Sequence, residues 1–489
     1  MDKFLRIHER DNVAVAVAAM QRGETALGVT LLEDIPAGHK FALTPIAAGE
    51  NVIKYAAPIG HATQDIPAGA WVHTHNVKTN LSGTLEYAYH PQPIPQEKPR
   101  RATFMGYRRA DGRVGTRNEI WIIPTVGCVN AAAQALAREA GEAFAGQVDG
   151  VHCFTHPYGC SQMGGDHETT QRLLAALVRH PNAAGVLVLG LGCENNNIPA
   201  FQKVLGETDA RRVKFLSTQE VEDEIEAGMR LLCELCEYAK TFAREEIDAS
   251  ELIVGLKCGG SDGLSGITAN PLLGRFSDML TACGGTTLLT EVPEMFGAET
   301  LLMNRCKDEA TFHQAVGLIN DFKEYFIRHD QVVYENPSPG NKAGGITTLE
   351  DKSLGCTQKG GTSAVCGVYG YAQRVETKGL NLVYGPGNDL CAITALCAAG
   401  AQVVLFTTGR GTPVGGPAPT VKVSTNTPLS QKKAGWIDFN AGVLVEGQTM
   451  ESVSEAFFEK VLRVASGEPT RSETCGDRQI AIFKDGVTL

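Results

Sequence analysis

Ile120–Cys128, IWIIPTVGC, is the stretch that decides the fold. A strand with one face in water alternates apolar and polar residues. This run does not, so it reads as a strand buried on both faces and closed by a Gly-Cys turn. Val151–Cys160 (VHCFTHPYGC), Gly185–Cys193 (GVLVLGLGC) and Leu252–Gly260 (LIVGLKCGG) have the same design. Strands of this kind belong to parallel sheets covered by helices, and ligands of such sheets collect outside the carboxyl ends. Four apolar runs, each reaching a thiol in a flexible Gly turn, predict a crevice where soft ligands and polar groups converge. That pattern points to an enzyme that uses a metal.

The segments around these strands alternate with helix-like ones. AAAQALAREAGEAF follows the first strand, HETTQRLLAALVRH precedes the third, and 220–246 reads as one long amphipathic helix. This order predicts βαβ units around mainly parallel sheets, in an α/β second domain over 104–247 and an α/β C-terminal domain over 248–489. Residues 1–90 differ: short apolar stretches alternate with Gly turns, and DIPAG occurs at Asp34–Gly38 and again at Asp65–Gly69, each time before a strand-like segment. They predict a small all-β module. Residues 91–103 form a Pro-rich, extended linker; His90–Arg101 alone holds four prolines. The loops at 336–362 and 407–428 are long and rich in Lys, Asn, Thr and Gly, which marks them as functional.

A chain of 489 residues exceeds one ordinary core, and 43% hydrophobic residues with 54 glycines describes a globular protein. The formal charge of −11 and the lack of a basic run exclude nucleic acid and anionic membrane as main partners. The N-terminus lacks the apolar core of a signal peptide, and no run approaches the roughly 18 apolar residues of a membrane span. The 14 cysteines are therefore read as thiols of a cytoplasmic protein, most of them small core residues. A small-molecule substrate is expected, and so is assembly into a homo-oligomer.

Several motifs could carry chemistry. His73-Thr74-His75 ends the β module; on a strand, residues two apart share a face, so both imidazoles could reach one ion. Arg108, Arg109, Arg113 and Arg117-Asn118 crowd a Gly-rich segment before a buried strand, where guanidinium forks could bind carboxylate. Lys257-Cys258-Gly-Gly-Ser261 follows a strand and precedes Asn270. Its backbone amides could hold an oxyanion, and a lysine at an apolar strand end can act as a base. Lys352–Gly361 and Thr408–Gly415, with Arg410, look like anion-binding loops, although the phosphate-binding and dinucleotide fingerprints are both absent. Cys233 and Cys236 fall mid-helix and read as core, which leaves a thiol redox enzyme without a reactive pair. A non-catalytic carbohydrate-binding protein would need the β module alone and would leave the polar loops unexplained.

The motifs in this order resemble the altronate and galactarate dehydratase family. HKFALTPIAAGENVIKYAAPIG with VHTHN is similar to its SAF-type (β-clip) N-terminal module. GRVGTRNEIWIIPTVGCVN, HPYGCSQMGGD and LGLGCENNN are similar to its second domain. GGSDGLSGITANPLLGRFSD, LTEVPEMFGAE, NPSPGNKAGGITTLEDKSLGCTQKGG, FTTGRGTP and IAIFKDGVTL are similar to its C-terminal domain. The resemblance covers essentially the whole chain and is greatest to the altronate branch. It implies a hydro-lyase that removes water from a sugar acid, D-altronate or else galactarate, to leave a 2-keto-3-deoxy acid. It also implies a required divalent metal, Fe2+ or Mn2+. For such a reaction the catalytic candidates are Lys257 or His156 as base, with Ser261 beside them. Substrate would be held by Arg117, Asn118, Asn270, Lys352 and Arg410, and the metal by His73 and His75. The alternative is a cysteine-held iron–sulfur cluster, with Cys128, Cys193 and Cys356 as first ligands and Cys160 and Cys258 in similar turns.

Overall fold

The computed structural model describes residues 3–95 and 97–486; Met1 and Asp2, Gln96 of the linker and 487–489 of the ending IAIFKDGVTL lie outside the described residues. In the N-terminal module both DIPAG segments are turns that end on a left-handed glycine, Gly38 at φ 83° and Gly69 at φ 85°. A Cβ on Gly69 would lie 2.1 Å from Thr30 O, so a side chain is excluded there. The strands that follow, Lys40–Ala42 and Trp71–Val72, pair antiparallel with each other inside a four-stranded sheet. Ile35, Ile46 and Ile66 fill the module's interior.

The module's last strand stops sooner than AWVHTH suggests. His73–Asn76 is a turn, in which His73 N donates to Asn76 Oδ1 at 2.9 Å and Asn76 Nδ2 donates to Trp71 O at 2.8 Å. The short amide side chain offers the backbone a local partner, and that partner replaces extension.

The second domain carries a four-stranded parallel sheet in the order Gly150–Cys153, Glu119–Pro124, Ala183–Gly190, Val213–Ser217. The helix expected over 220–246 spans only Glu224–Ala239. Asp223 caps its start by accepting from Ile225 N and Glu226 N. Beyond it, Glu245–Asp248 forms a strand against Thr103–Arg108, because that charged stretch meets an open sheet edge. Cys236 is buried as expected, whereas Cys233 is exposed on the helix's outer face.

The C-terminal domain holds a seven-stranded, all-parallel sheet. Its order is Val365–Tyr369, Gly379–Val383, Thr286–Leu289, Ile253–Cys258, Val403–Thr408, Thr420–Ser424, Phe439–Asn440. The chain builds outward from Ile253–Cys258 on one side and then crosses to the other. The topological switch point therefore lies at the carboxyl end of that strand, where open α/β sheets bind ligands. Residues 79–95 and 97–102 carry no helix or strand and run over this domain, with Tyr89 Oη donating to Cys306 O at 2.6 Å.

Two buried ion clusters hold the domains together. Between the module and the C-terminal domain, Asp351 accepts from Lys40 Nζ at 2.8 Å and Lys54 Nζ at 2.9 Å, all three side chains being out of water. Between the second and C-terminal domains, Glu473 takes both Arg117 and Arg478, and Arg478 also reaches Glu119. Removing one partner of such a cluster strands the others without solvent. Asp351→Asn is thus expected to cost about 3–5 kcal/mol and to loosen the module, read by urea unfolding and by proteolysis of the linker.

The second cluster sets an acid limit. Burial alone would raise the Glu473 carboxyl, but Arg117 and Arg478 overturn that and hold it at about 2, against an ordinary 4.5. A depressed folded pKa stabilises at pH above the ordinary value, and that stability fades as pH falls from 4.5 toward 2. The contribution is about 3 kcal/mol. Urea midpoints measured between neutral pH and pH 3 should fall steeply for the native protein and more shallowly for Glu473→Gln.

Candidate active site

The switch point gathers charge. Lys257 leaves the Ile253–Cys258 strand fully buried, with its ammonium against Glu291, 2.9 Å from Asp389 Oδ1 and 2.6 Å from Cys258 O. Glu291 follows the neighbouring strand at φ 67°, a left-handed backbone that turns it, and then Glu294, toward the crevice. Lys359 Nζ lies 2.8 Å from Glu291 Oε2. Lys352 Nζ lies 2.9 Å from Glu294 Oε1, 3.1 Å from Asn336 Oδ1 and 3.3 Å from Asn341 Oδ1. Burial works against these ammonium ions, yet the neighbouring carboxylates outweigh it. Lys257 and Lys359 are held well above the ordinary lysine value and Lys352 at about 12. Lys257 is thus a fixed ammonium, the opposite of the free amine that a base requires.

Among these charges sit two thiols. Cys258 Sγ and Cys356 Sγ are 3.2 Å apart, and Glu294 Oε2 lies 3.5 Å from the first and 3.2 Å from the second. Lys359 Nζ approaches Cys258 Sγ at 2.9 Å. Among the described residues this is the one group of three or more His, Cys, Asp or Glu whose donor atoms fall within 4.8 Å of one another. The neighbouring thiol, followed by burial, raises the Cys356 thiol well above its ordinary value, while three ammonium groups hold the Glu294 carboxyl at about 2 against burial. With both thiols protonated, the ammonium ions of Lys257, Lys352 and Lys359 balance the carboxylates of Glu291, Glu294 and Asp389. Two thiolates would leave a local charge of −2, which a single divalent cation neutralises. Donor chemistry and charge both fit a divalent transition metal.

Asp262 links this cluster to open space. A cavity of about 500 Å³ between the module and the C-terminal domain is lined by Arg410, Asp262, Asn426, Lys3 and the glycines of both faces. Asp262 also lines the narrow crevice that reaches Lys352 and Cys356. Its carboxylate accepts from Thr425 Oγ1 at 2.9 Å, Ser265 Oγ at 3.1 Å, Asn426 Nδ2 at 3.2 Å and Leu264 N at 3.1 Å. Burial raises its pKa all the same. Only glycine fits at 409, because a Cβ there would lie 2.2 Å from the Asp262 carboxyl carbon. Arg410 is exposed, and its guanidinium makes no hydrogen bond or ion pair among the described residues.

Lys352, Arg410, Ser261, Asn270 and Cys356 all fall at this switch point, with differing freedom. Ser261 Oγ is buried without a partner, and Asn270 has both amide ends committed, to Gly355 O and Thr407 Oγ1. The Lys352–Lys359 segment is a helix and a short 3-10 turn, not an anion-binding loop, and it directs its lysines into carboxylates. The other candidates lie elsewhere. His156 is buried in the second domain, with Nε2 on Pro124 O and Nδ1 accepting from Tyr158 N, so neither nitrogen can take a substrate proton. Arg117 and Asn118 are structural braces: Arg117 pairs with Glu473, and Asn118 bonds Arg109 and Ala239 O. His73 is buried at the module interface, its Nδ1 3.3 Å from Thr347 Oγ1, while His75 is exposed. Each packs against Trp71, and the turn at 73–76 removes the shared face expected of a metal pair. Cys128 and Cys193 are exposed in the second domain.

Asp262 and Lys359 fall in or beside candidate motifs of the sequence with no role expected of them, whereas Glu291, Glu294 and Asp389 fall in none of those motifs. All but Asp389 lie within stretches that resemble the family. Their pairing depends on strand order, which no local pattern reports.

Family comparison agrees with this architecture in all three parts. The model described as altronate/galactarate dehydratase SAF domain matches residues 2–80. That of the D-galactarate dehydratase/altronate hydrolase second domain matches 106–240, and the D-galactarate/altronate dehydratase C-terminal model matches 249–488. The chain is 55% identical to the altronate dehydratase of Escherichia coli (strain K12) and 56% identical to that of Bacillus subtilis (strain 168), each alignment covering 100% of both chains. It is 34% identical to the galactarate dehydratase (L-threo-forming) of Escherichia coli (strain K12), over 98% of this chain and 96% of that one. A SAF-type module docked on two parallel-sheet domains, matched along its whole length, places this chain in the galactarate/altronate dehydratase family of hydro-lyases.

Proposed function

We propose that this hydro-lyase dehydrates D-altronate to 2-keto-3-deoxy-D-gluconate in the cavity above the switch point. The observation that carries the substrate is the full-length identity of 55–56% to altronate dehydratases, against 34% to a galactarate dehydratase. Arg410, exposed on the loop that follows Val403–Thr408, would take the substrate carboxylate with a two-pronged hydrogen bond. Asp262, a carboxylate of raised pKa facing the same cavity, would accept the proton alpha to that carboxylate as the Ser265 or Thr425 hydroxyl turns from donor to acceptor. The ammonium of Lys352 would offset negative charge that develops on the enediolate. The proton held by Asp262 would pass to the departing 3-hydroxyl, which leaves as water, and tautomerisation of the resulting enol gives the 2-keto acid.

Cys258, Glu294 and Cys356 are the residues that would hold a divalent metal, and two thiolates with one carboxylate suit ferrous ion better than manganese. When bound, such an ion supplies Lewis-acid stabilisation of charge on a substrate oxygen.

Anaerobic assays with ferrous ion should yield keto acid from D-altronate, with lower kcat/KM on galactarate. Equal or better turnover of galactarate would redirect the substrate while leaving the reaction class intact. A second expectation separates the roles. Arg410→Gln should lower kcat/KM about ten- to hundredfold, mainly through KM, and Asp262→Asn should lower kcat. Cys356→Ser and Glu294→Gln should lose tightly held ferrous ion by metal analysis; full metal retention by both would remove the trio from consideration.

A further inference from the structure

We propose that the second domain carries a metal site of its own, in which Cys128, Cys160 and Cys193 hold an iron–sulfur cluster. The three thiols follow three adjacent strands of one parallel sheet, Glu119–Pro124, Gly150–Cys153 and Ala183–Gly190, and all three are exposed. The sheet order makes its middle strand a switch point as well: the chain steps to one neighbour, then crosses to the other. This crevice belongs to the second domain's sheet, not to the sheet that ends at Cys258.

Hydrogen bonds tie the three cysteine loops to one another. Gly127 N donates to Tyr158 O at 2.9 Å, and Asn196 N donates to Gly159 O at 2.9 Å. Asn196 Nδ2 reaches Thr125 O at 3.0 Å, and Ser161 N reaches Asn195 Oδ1 at 2.9 Å. Two loops are bent to present their thiols. Gly159 has φ 101°, Gly192 has φ 130°, and Ser161, which is not a glycine, has φ 60°. Each loop then enters a helix, at Asn130, Gly164 or Ile198, so an electropositive helix start follows each thiol in the chain. That setting favours an anionic group such as a thiolate-held cluster.

Two further observations select the ligand. Gln162 is only 6% exposed, accepts from Gly159 N through Oε1 and leaves Nε2 buried without a partner. Gln219 Nε2 already donates to Cys193 Sγ at 3.5 Å. The sulfides of a cluster accept such amide donors, and the Gln219 contact already shows one on a thiol sulfur. Hard cations are disfavoured, because the nearby carboxylate of Glu194 is turned inward to Thr125 Oγ1 and the amides of Leu191 and Gly192. A single tetrahedral ion would draw its sulfurs to about 3.8 Å apart. These three do not gather within 4.8 Å, the closeness that a single ion demands of its ligands. Three cysteines leave one iron of a [4Fe–4S] cluster for a non-protein ligand.

The test is anaerobic reconstitution of the full chain with ferrous iron and sulfide, followed by iron, acid-labile sulfide and visible-absorbance measurements. About four sulfides per chain are expected. Cys128→Ser, Cys160→Ser and Cys193→Ser should each lose nearly all sulfide with unchanged circular dichroism, whereas Cys356→Ser should keep it. In the reconstituted protein the three thiols should also resist alkylation mapped by mass spectrometry. Binding of iron or zinc without sulfide, or sulfide lost only with Cys356→Ser, would overturn the assignment. Because the readout is sulfide and the discriminating variants lie in another domain, this outcome is separate from that of the Cys258–Glu294–Cys356 site.

Discussion

Everything at the switch point depends on compensating buried charge. Three lysine ammonium groups and two glutamates have been taken almost wholly out of water at the carboxyl end of the central strand, beside a partly exposed Asp389. Each alone would be prohibitive, since desolvating one ion costs several kcal/mol and only a well-placed partner returns it. The pairing therefore dictates geometry. Glu291 must leave its strand in a left-handed conformation, Lys352 and Lys359 must ride on a helix and the turn that continues it, and the thiols of Cys258 and Cys356 are pressed together as a consequence.

The same economy explains the N-terminal module. A small all-β unit of short strands cannot bury much surface by itself. It gains rigidity by sending Lys40 and Lys54 into Asp351 and by pressing glycine backbone on glycine backbone, where Gly38 meets Gly263 and Gly345 too closely for any Cβ. The module thereby becomes a wall of the cavity that holds Asp262 and Arg410. Its histidines stiffen this wall: Trp71 Nε1 donates to His39 Nδ1 at 3.2 Å, and His73 stacks on Trp71.

Much of the fold was legible because burial on both faces leaves an unambiguous residue pattern. IWIIPTV, GVLVLGLG and LIVGLK read as interior strands, and all three are buried apart from Ile253 and the Leu191-Gly192 end of the second. The DIPAG turns were equally plain, since a left-handed glycine after Pro-Ala has a local cause. The pattern gives way where a local partner competes with it. Asn76 folds the His73–His75 stretch into a turn, and the charged tail of the long helix is recruited as a strand by Thr103–Gly106.

By itself the sequence determined the layered α/β plan, the family and the set of residues from which a site could be made, because strand burial, turn chemistry and long motifs are written locally. Tertiary structure alone decided which of those residues act together. Lys257 and His156 looked like equal candidates for a base, and only packing shows that one is an ammonium locked by Glu291 and the other has both ring nitrogens committed to backbone. Arg117 and Arg410 looked like equal carboxylate anchors, yet one is spent on Glu473 and the other faces a cavity. The physical reason is that the chemistry of a charged or thiol side chain is set by its partners within a few ångströms. Those partners, 98 residues away for Cys258 and Cys356, are chosen by strand order and not by neighbours in the chain.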